Sequence, residues 1–220
     1  MNLKNTENLW VLGLFLGITG LISALLLALF SDLVAAPIAA AELRNQNLAL
    51  QQILPPFDNQ PTEQTVERDG VLFMGAYEKG KLVAVAAEAA VRGYAGAVRG
   101  LVGLDPDGKI RAVLITAQNE TPGLGANVCQ RQFRKTIFNL FDKRPEGLAP
   151  NPVLDQFSGK VAEKGKHWRV KKDGGSIDYV TGATITSRAV TELTDKVAQC
   201  YLADGAEIRA ELEKAGGNEK

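Results

Sequence analysis

Residues 177–190, IDYVTGATITSRAV, crowd five hydroxyl side chains around one Gly-Ala step and then run into a helical pattern. Hydroxyls at such a turn can serve two ends. Thr184 or Thr186 can cap the helix by accepting a bond from a first-turn amide. Alternatively, the unpaired N–H groups and the positive end of the helix dipole form a seat for a phosphate, with one hydroxyl available for chemistry. Lys171 and Lys172 lie upstream, ahead of Asp173-Gly174-Gly175 and Asp178, and would add positive charge. A second stretch, ETPGLG at 120–125, has the same construction. Glu120 and Thr121 stand at a strand end, Pro122 fixes one φ, and Gly123 and Gly125 free the backbone to turn before a helix. Such a loop can receive a flat ring or an anion. It can equally be a plain strand-to-helix connector.

Other candidates are weaker. GAYEKGKL at 75–82 nearly spells a phosphate-binding P-loop, but Leu82 stands where the magnesium-ligating hydroxyl belongs and a strand follows instead of a helix. His167 has no nucleophile signature beside it and reads as a surface or structural histidine. One histidine and two cysteines, Cys129 and Cys200, do not make a four-ligand zinc site, and both cysteines read as buried thiols. With 25 basic and 25 acidic residues and no long basic run, a nucleic-acid partner is not expected. No dinucleotide fingerprint G-x-G-x-x-G follows a strand.

The elements that must position these loops come from periodicity and turn signals. GVLFMGAY, a turn at Glu78-Lys79-Gly80 and KLVAVAAEAAV read as a hairpin, and GYAG at 93–96 as a loop. AVRGLVGL and KIRAVLITA flank the turn Asp105-Pro106-Asp107-Gly108. A helix is expected over VCQRQFRKTIFNLF, burying Cys129, Phe133, Ile137 and Phe141. HWRVKKDGG suggests a short strand and a turn. The last long helix starts near Ile185, with Ala189, Leu193, Val197 and Tyr201 on one face, and a charged tail after Ala203 is expected to fray. Strands grouped between helices predict an α+β domain with an antiparallel sheet.

Leu9 to Phe30 carry no charged side chain, and 22 helical residues span about 33 Å, enough to cross a hydrocarbon core. The competing reading is a cleaved signal peptide with a small-residue site in APIAAAEL, although its apolar region would be unusually long. Gly13, Gly17, Gly20, Ala24 and Ala28 form a small-residue seam suited to a partner helix. Lys4 precedes the span and Asp32 follows it, which places the amino terminus in the cytoplasm. AAAELRNQNLALQQIL then reads as an amphipathic helix that Pro55-Pro56 ends. The expected division is a cytoplasmic stub (1–8), a transmembrane helix (9–31), a linker (32–69), the main domain (70–203) and a charged tail (204–220).

Asp178-Tyr179-Val180-Thr181-Gly182-Ala183-Thr184 resembles the D-x-x-[ST]-G-A-[TS] flavinylation motif, at which FMN is joined by a phosphodiester to a threonine hydroxyl. Together with ETPGLG, GYAG, WRVKKDGG and the single anchor, in that spacing, the chain resembles the family of G subunits of Rnf-type electron transport complexes. The C subunits of sodium-pumping NADH:quinone oxidoreductases share the general plan, but TGATITSRAV and KKDGG are closer to Rnf. The resemblance runs from the anchor to the last helix. It implies one amino-terminal transmembrane helix followed by an FMN-binding domain, its antiparallel sheet flanked by helices.

For the site, the resemblance implies covalent FMN on Thr184, the threonine directly after Gly-Ala, with Thr181 and Thr186 as decoys. Asp178 would be the acid read by the modifying flavin transferase, and Thr181, Gly182 and Ala183 complete the motif. Glu120, Thr121, Gly123, Leu124 and Gly125 are expected to supply flavin contacts, and Lys171 and Lys172 to balance its phosphate. No catalytic acid–base pair and no metal are implied. The family moves electrons between ferredoxin and NAD while translocating Na⁺ or H⁺, so a redox subunit of a multisubunit translocase is expected, not a stand-alone catalyst. Expected partners are the other membrane and soluble subunits, the flavin transferase and membrane lipid. The expected location is the bacterial inner membrane, single-pass, with the soluble domain on the periplasmic side. The alternatives are the FMN subunit of a sodium-pumping quinone reductase, or a complex that reduces a regulatory iron–sulfur protein.

Overall fold

The computed structural model describes residues 9–133 and 147–216. The chain divides into two compact units, residues 1–45 and 46–220. The first carries most of helix α1 (Leu9–Ile53), whose side chains from Trp10 to Leu33 are all exposed. It is a helix long and apolar enough to cross a membrane. The anchor and the amphipathic segment, read separately from sequence, fall in one helical element that includes Pro37. The alanine-rich flank AAPIAAAEL favours helix strongly enough to carry the element past that proline.

The second unit is built on a five-stranded antiparallel meander in the order β1-β2-β3-β4-β5. Its strands are β1 (Thr65–Arg68), β2 (Val71–Glu78), β3 (Lys81–Arg92), β4 (Ala97–Leu104) and β5 (Ile110–Ala117). Two-residue turns close its first hairpins, and both central residues of each have positive φ: Asp69 at 50° with Gly70 at 67°, and Lys79 at 52° with Gly80 at 73°. That geometry matches the right-handed twist of the flanking strands. Strand β1 was not expected, because TVER is polar and buries only Val66. Its signal was the Asp69-Gly70 dipeptide.

Alternation along the strands divides the core. On one face, Met74, Ala76, Ala84, Ala86 and Leu101 receive Ala49, Leu50, Ile53 and Leu54 from the end of α1. Gly103 makes this close approach possible, since a Cβ there would lie 2.8 Å from the Ile53 carbonyl oxygen. On the other face, Phe73, Val85, Val102 and Val113 pack with Val190, Leu193 and Val197 of α3 (Thr184–Gly216). Full burial of one such side chain contributes roughly 1.5–3 kcal/mol. The result is an α+β domain, a sheet with helices on both faces.

Two local expectations need correction. As far as Gly216 the C-terminal tail is not frayed: α3 continues to that residue, and Ile208 and Leu212 are fully buried. They extend the apolar stripe beyond Tyr201, whose ring stands 6.1 Å from that of Phe73. The boundary drawn at Ala203 therefore falls inside a packed helix. The second correction concerns the start of the helix expected over 128–141, of which residues 134–141 lie outside the described residues. Helix α2 spans only Gly125–Cys129, and Gln130 leaves it extended, at φ −88° and ψ 135°. Asn151 is the reason. Its side-chain amide donates to the carbonyls of Asn127 (3.3 Å), Val128 (3.0 Å) and Gln130 (2.9 Å), which continued helix would otherwise use. Cys129 is buried and Phe133 half-buried, but Phe133 lies beyond the end of α2, while Ile137 and Phe141 lie outside the described residues.

Candidate functional site

The turn into α3 is shaped by Gly182, at φ +87°, and by the Ala183 amide donating to the Val180 carbonyl at 3.0 Å. Ser187 ties the turn from within. Its hydroxyl donates to the Ala183 carbonyl (3.0 Å) and accepts the Val180 amide (3.2 Å). Thr184 is the first helical residue and half-buried, so its own amide and those of Ile185 and Thr186 belong to the first turn, where helix geometry supplies no acceptor. Thr181 and Gly182 are exposed and Ala183 is buried. Thr186 is 1% exposed, and its hydroxyl donates to Glu120 Oε2 at 2.6 Å. The three threonines offered by the sequence are therefore not equivalent: Thr186 is enclosed, and Thr181 and Thr184 are reachable.

Glu120 joins the three motifs. Its Oε1 accepts the amides of Tyr94 (2.8 Å) and Ala95 (3.2 Å) in the GYAG loop, and its Oε2 accepts the Thr186 hydroxyl. The carboxylate lies between two glycines. A Cβ on Gly93 would come within 2.3 Å of Oε1, and one on Gly125 within 2.7 Å of Oε2. The rest of ETPGLG folds onto itself. The Leu124 and Ala126 amides both donate to the Thr121 carbonyl at 3.2 Å, and Asn127 donates to the Gly123 carbonyl at 2.7 Å. Leu124 also neighbours the TGAT turn, since a Cβ on Gly182 would stand 3.5 Å from its Cδ2.

The KKDGG segment docks on the same helix turn. Val170 bridges Ile177, Lys171–Asp173 form a short 3-10 turn, and Gly174 closes it at φ +81°. Gly175 is obligatory, because a Cβ there would lie 1.9 Å from the Arg169 carbonyl oxygen. Asp173 accepts two bonds from Arg188, at 2.7 and 2.6 Å, one turn beyond Thr184. Those bonds, helped by the charges of Arg188, Lys172 and Arg169, hold the Asp173 carboxyl below its ordinary range. Lys171 pairs with Asp178 at 2.5 Å, and Asp178 is itself held at its backbone by the Gln156 side-chain amide. Thus Lys171, Lys172, Asp178, Glu120, Thr121, Gly123, Leu124 and Gly125 all lie on segments that meet the start of α3.

The chemistry of this surface is mixed. Arg169, Lys171, Lys172 and Arg188 provide positive charge. Tyr94 (68% exposed), Leu124 (47%) and Ile185 (46%) provide apolar area, one residue from each stapled segment. Such side chains suit the face of a planar ring. A surface cavity of about 260 Å³, lined by Gly108, Ala162, Tyr201, Ala206 and Arg209, includes none of these segments. This cavity lies apart from the motif chemistry, and the motif surface is the better candidate.

His167 serves the fold. Its Nδ1 is 2.7 Å from Asp195, whose other oxygen accepts the Trp168 amide at 2.9 Å, a structural role. Both cysteines are free and buried. Burial, with a smaller push from Glu120, raises the Cys129 thiol to about 12, so it is no nucleophile at neutral pH. Sequence reasoning missed Asn151 and Ser187. The only signal for the first was an Asn before Pro in a loop-rich stretch.

The chain is similar to known proteins. Residues 93–199 match the FMN-binding domain family, a span that begins at the GYAG loop and ends in α3. The chain is 33% identical to the G subunit of the ion-translocating oxidoreductase complex of Pseudomonas aeruginosa, covering 92% of this chain and 93% of that protein. Identity to the corresponding G subunit of Cereibacter sphaeroides is 34%, over 92% and 88% of the two chains. For the G subunit of Photorhabdus laumondii it is 34%, over 93% and 95%. Among solved structures, the crystal structure of Shewanella oneidensis NqrC aligns with a TM-score of 0.45 and 20% identity, covering 74% of this chain and 72% of that one.

Proposed function

Because this chain belongs to the family of G subunits of ion-translocating oxidoreductase complexes and carries an FMN-binding domain, we propose that it is an electron-carrying subunit whose FMN is esterified to Thr184. The observation that carries the residue assignment is the contrast between neighbouring hydroxyls. Thr186 is enclosed and committed to Glu120, whereas Thr184 opens the helix on a surface with both positive charge and apolar area. A phosphate at the first turn meets unpaired amides and the positive end of the dipole. Arg169, Lys171, Lys172 and Arg188 add charge. Tyr94, Leu124 and Ile185 offer the apolar surface that a flavin ring requires.

Bound there, the flavin would supply one- and two-electron chemistry, and the protein supplies tether and orientation. Attachment needs an FMN phosphate activated as an anhydride. The Thr184 oxygen–phosphorus bond would form as the anhydride P–O bond breaks, the second phosphate of the anhydride leaving with that bond's electron pair and the hydroxyl proton passing to solvent. A flavin transferase would perform that step, reading Asp178 once its pairing with Lys171 opens. Within the complex, electrons would pass between ferredoxin and NAD with Na⁺ or H⁺ translocation. Leu9–Phe30 would span the inner membrane, with the amino terminus cytoplasmic and the soluble domain periplasmic. Anchoring raises the domain's effective concentration beside the other membrane and soluble subunits.

The test is direct. The full chain, co-expressed with the flavin transferase and denatured, should fluoresce in a gel and weigh one FMN less one water above the polypeptide mass. Thr184→Ala should abolish both signals. Persistence of fluorescence in that variant would move the attachment to Thr181.

A further inference from the structure

The ETPGLG loop offers Glu120 as a flavin contact by sequence, yet the folded chain gives its carboxylate other work. It is 4% exposed, and both oxygens are occupied by groups from two sequence-distant segments. We infer that Glu120 is a positioning residue that clamps the GYAG and ETPGLG loops to the first turn of α3 and thereby orients Thr184, without touching the flavin. The inference rests on the reading of Thr184 proposed above.

Three observations support it. First, the contacts are reciprocal in sequence space: Oε1 holds residues 26 and 25 positions upstream, and Oε2 holds one 66 positions downstream. Second, Thr186 departs from its neighbours. Ser187, Thr191 and Thr194 each donate to the carbonyl four residues back, the ordinary helical habit, while Thr186 points its hydroxyl at Glu120. Third, the carboxylate is packed against backbone on two sides, since a Cβ on Gly93 or on Gly125 would clash with it at 2.3 or 2.7 Å. Hydrogen bonds to a charged group are stronger than neutral ones, and removing all three frees two loops and one helix turn together.

Gln at this position can partly substitute. Its carbonyl still accepts the Tyr94 and Ala95 amides, and its NH₂ faces Thr186, which then returns its proton to the carbonyl of Gly182. Ala can do neither. The experiment uses the full chain co-expressed with the flavin transferase, comparing wild type, Glu120→Ala and Glu120→Gln. Covalent FMN is measured by intact mass, the asymmetry of the bound flavin by visible circular dichroism, and loop order by hydrogen exchange of peptides covering 93–98. In Glu120→Ala, attachment should fall by about tenfold to a hundredfold, as misplacement of a reacting group predicts. The flavin dichroism should change shape, and residues 93–98 should exchange faster. Glu120→Gln should recover most of the attachment and the wild-type dichroism.

Full attachment with unaltered dichroism in Glu120→Ala overturns the inference. So does a Gln variant that keeps 93–98 protected yet attaches no more flavin than Ala, since that would assign Glu120 a charge contact. If the Ala variant does not fold, Thr186→Val, which keeps the shape and removes one bond, takes its place. Reduced attachment is then expected, and unchanged attachment and dichroism overturn the inference. A wild-type chain without covalent flavin overturns the reading of Thr184 instead. In that event, unchanged exchange at 93–98 in Glu120→Ala overturns the clamp as well.

Discussion

Two loop-to-helix junctions in this domain share a design and reach opposite ends. ETPGLG leads into α2 and TGAT into α3, each through a glycine of positive φ: Gly123 at 79° and Gly182 at 87°. Helix α2 stops after Gly125–Cys129 because Asn151 captures its carbonyls, while α3 runs 33 residues on a continuous apolar stripe. The first junction turns its polar group inward, where Glu120 is consumed by the fold. The second leaves Thr184 half-open beside charge and apolar surface. A loop that resembles a ligand site in sequence can thus be the scaffold for a second loop, the one proposed to hold the ligand.

Substitution can break the contrast at either junction. The largest effect is expected at the second. Thr184→Ala should remove all covalent flavin while the melting temperature moves only slightly, because a helix-start threonine is worth about 1 kcal/mol. In-gel fluorescence and a thermal melt check the pair. At the first junction the effect should be on stability. Asn151→Ala strips three carbonyls and the amides of Val153 and Leu154 of a buried partner, and should cost about 3–5 kcal/mol in urea unfolding. The two loop glycines should separate next. Gly125→Ala drives a Cβ to 2.6 Å from Thr186 Oγ1 and should cost about 1–3 kcal/mol. Gly123→Ala meets open space and should cost only the left-handed backbone term, about 1–2 kcal/mol.

The smallest effect concerns Cys129 at the end of α2. Its thiol is raised from 9.0 to about 12, so the neutral form is favoured by folding. That stability is fully present below about pH 9 and is lost as the pH rises toward about 12. Cys129→Ala should flatten the alkaline limb of a stability–pH curve. Wild-type Cys129 should resist alkylation at pH 8 until the chain is unfolded. Rapid labelling of the folded chain would contradict the packing of that junction.

Local chemistry carried much of this protein in its sequence. Lys79-Gly80 and Asp105–Gly108 announced their turns because positive φ and Asx geometry are properties of a few residues. The apolar run Leu9–Phe30 and the stripe Ala189-Leu193-Val197-Tyr201 followed from helical periodicity alone. Thr184 was different: local chemistry left it a plain helix cap, and only the resemblance of Asp178–Thr184 to the flavinylation motif implied covalent flavin there. What the sequence hid were effects of distant partners. TVER became a strand because β2 offered an edge, and Gln130 left its helix because Asn151 competed for carbonyls. Ile208 and Leu212 turned a charged tail into core. Only the folded chain decided that Thr186 is sealed and Glu120 spent on backbone. Both outcomes depend on segments 66 residues apart meeting at 2.6 Å, and no local propensity encodes such a meeting.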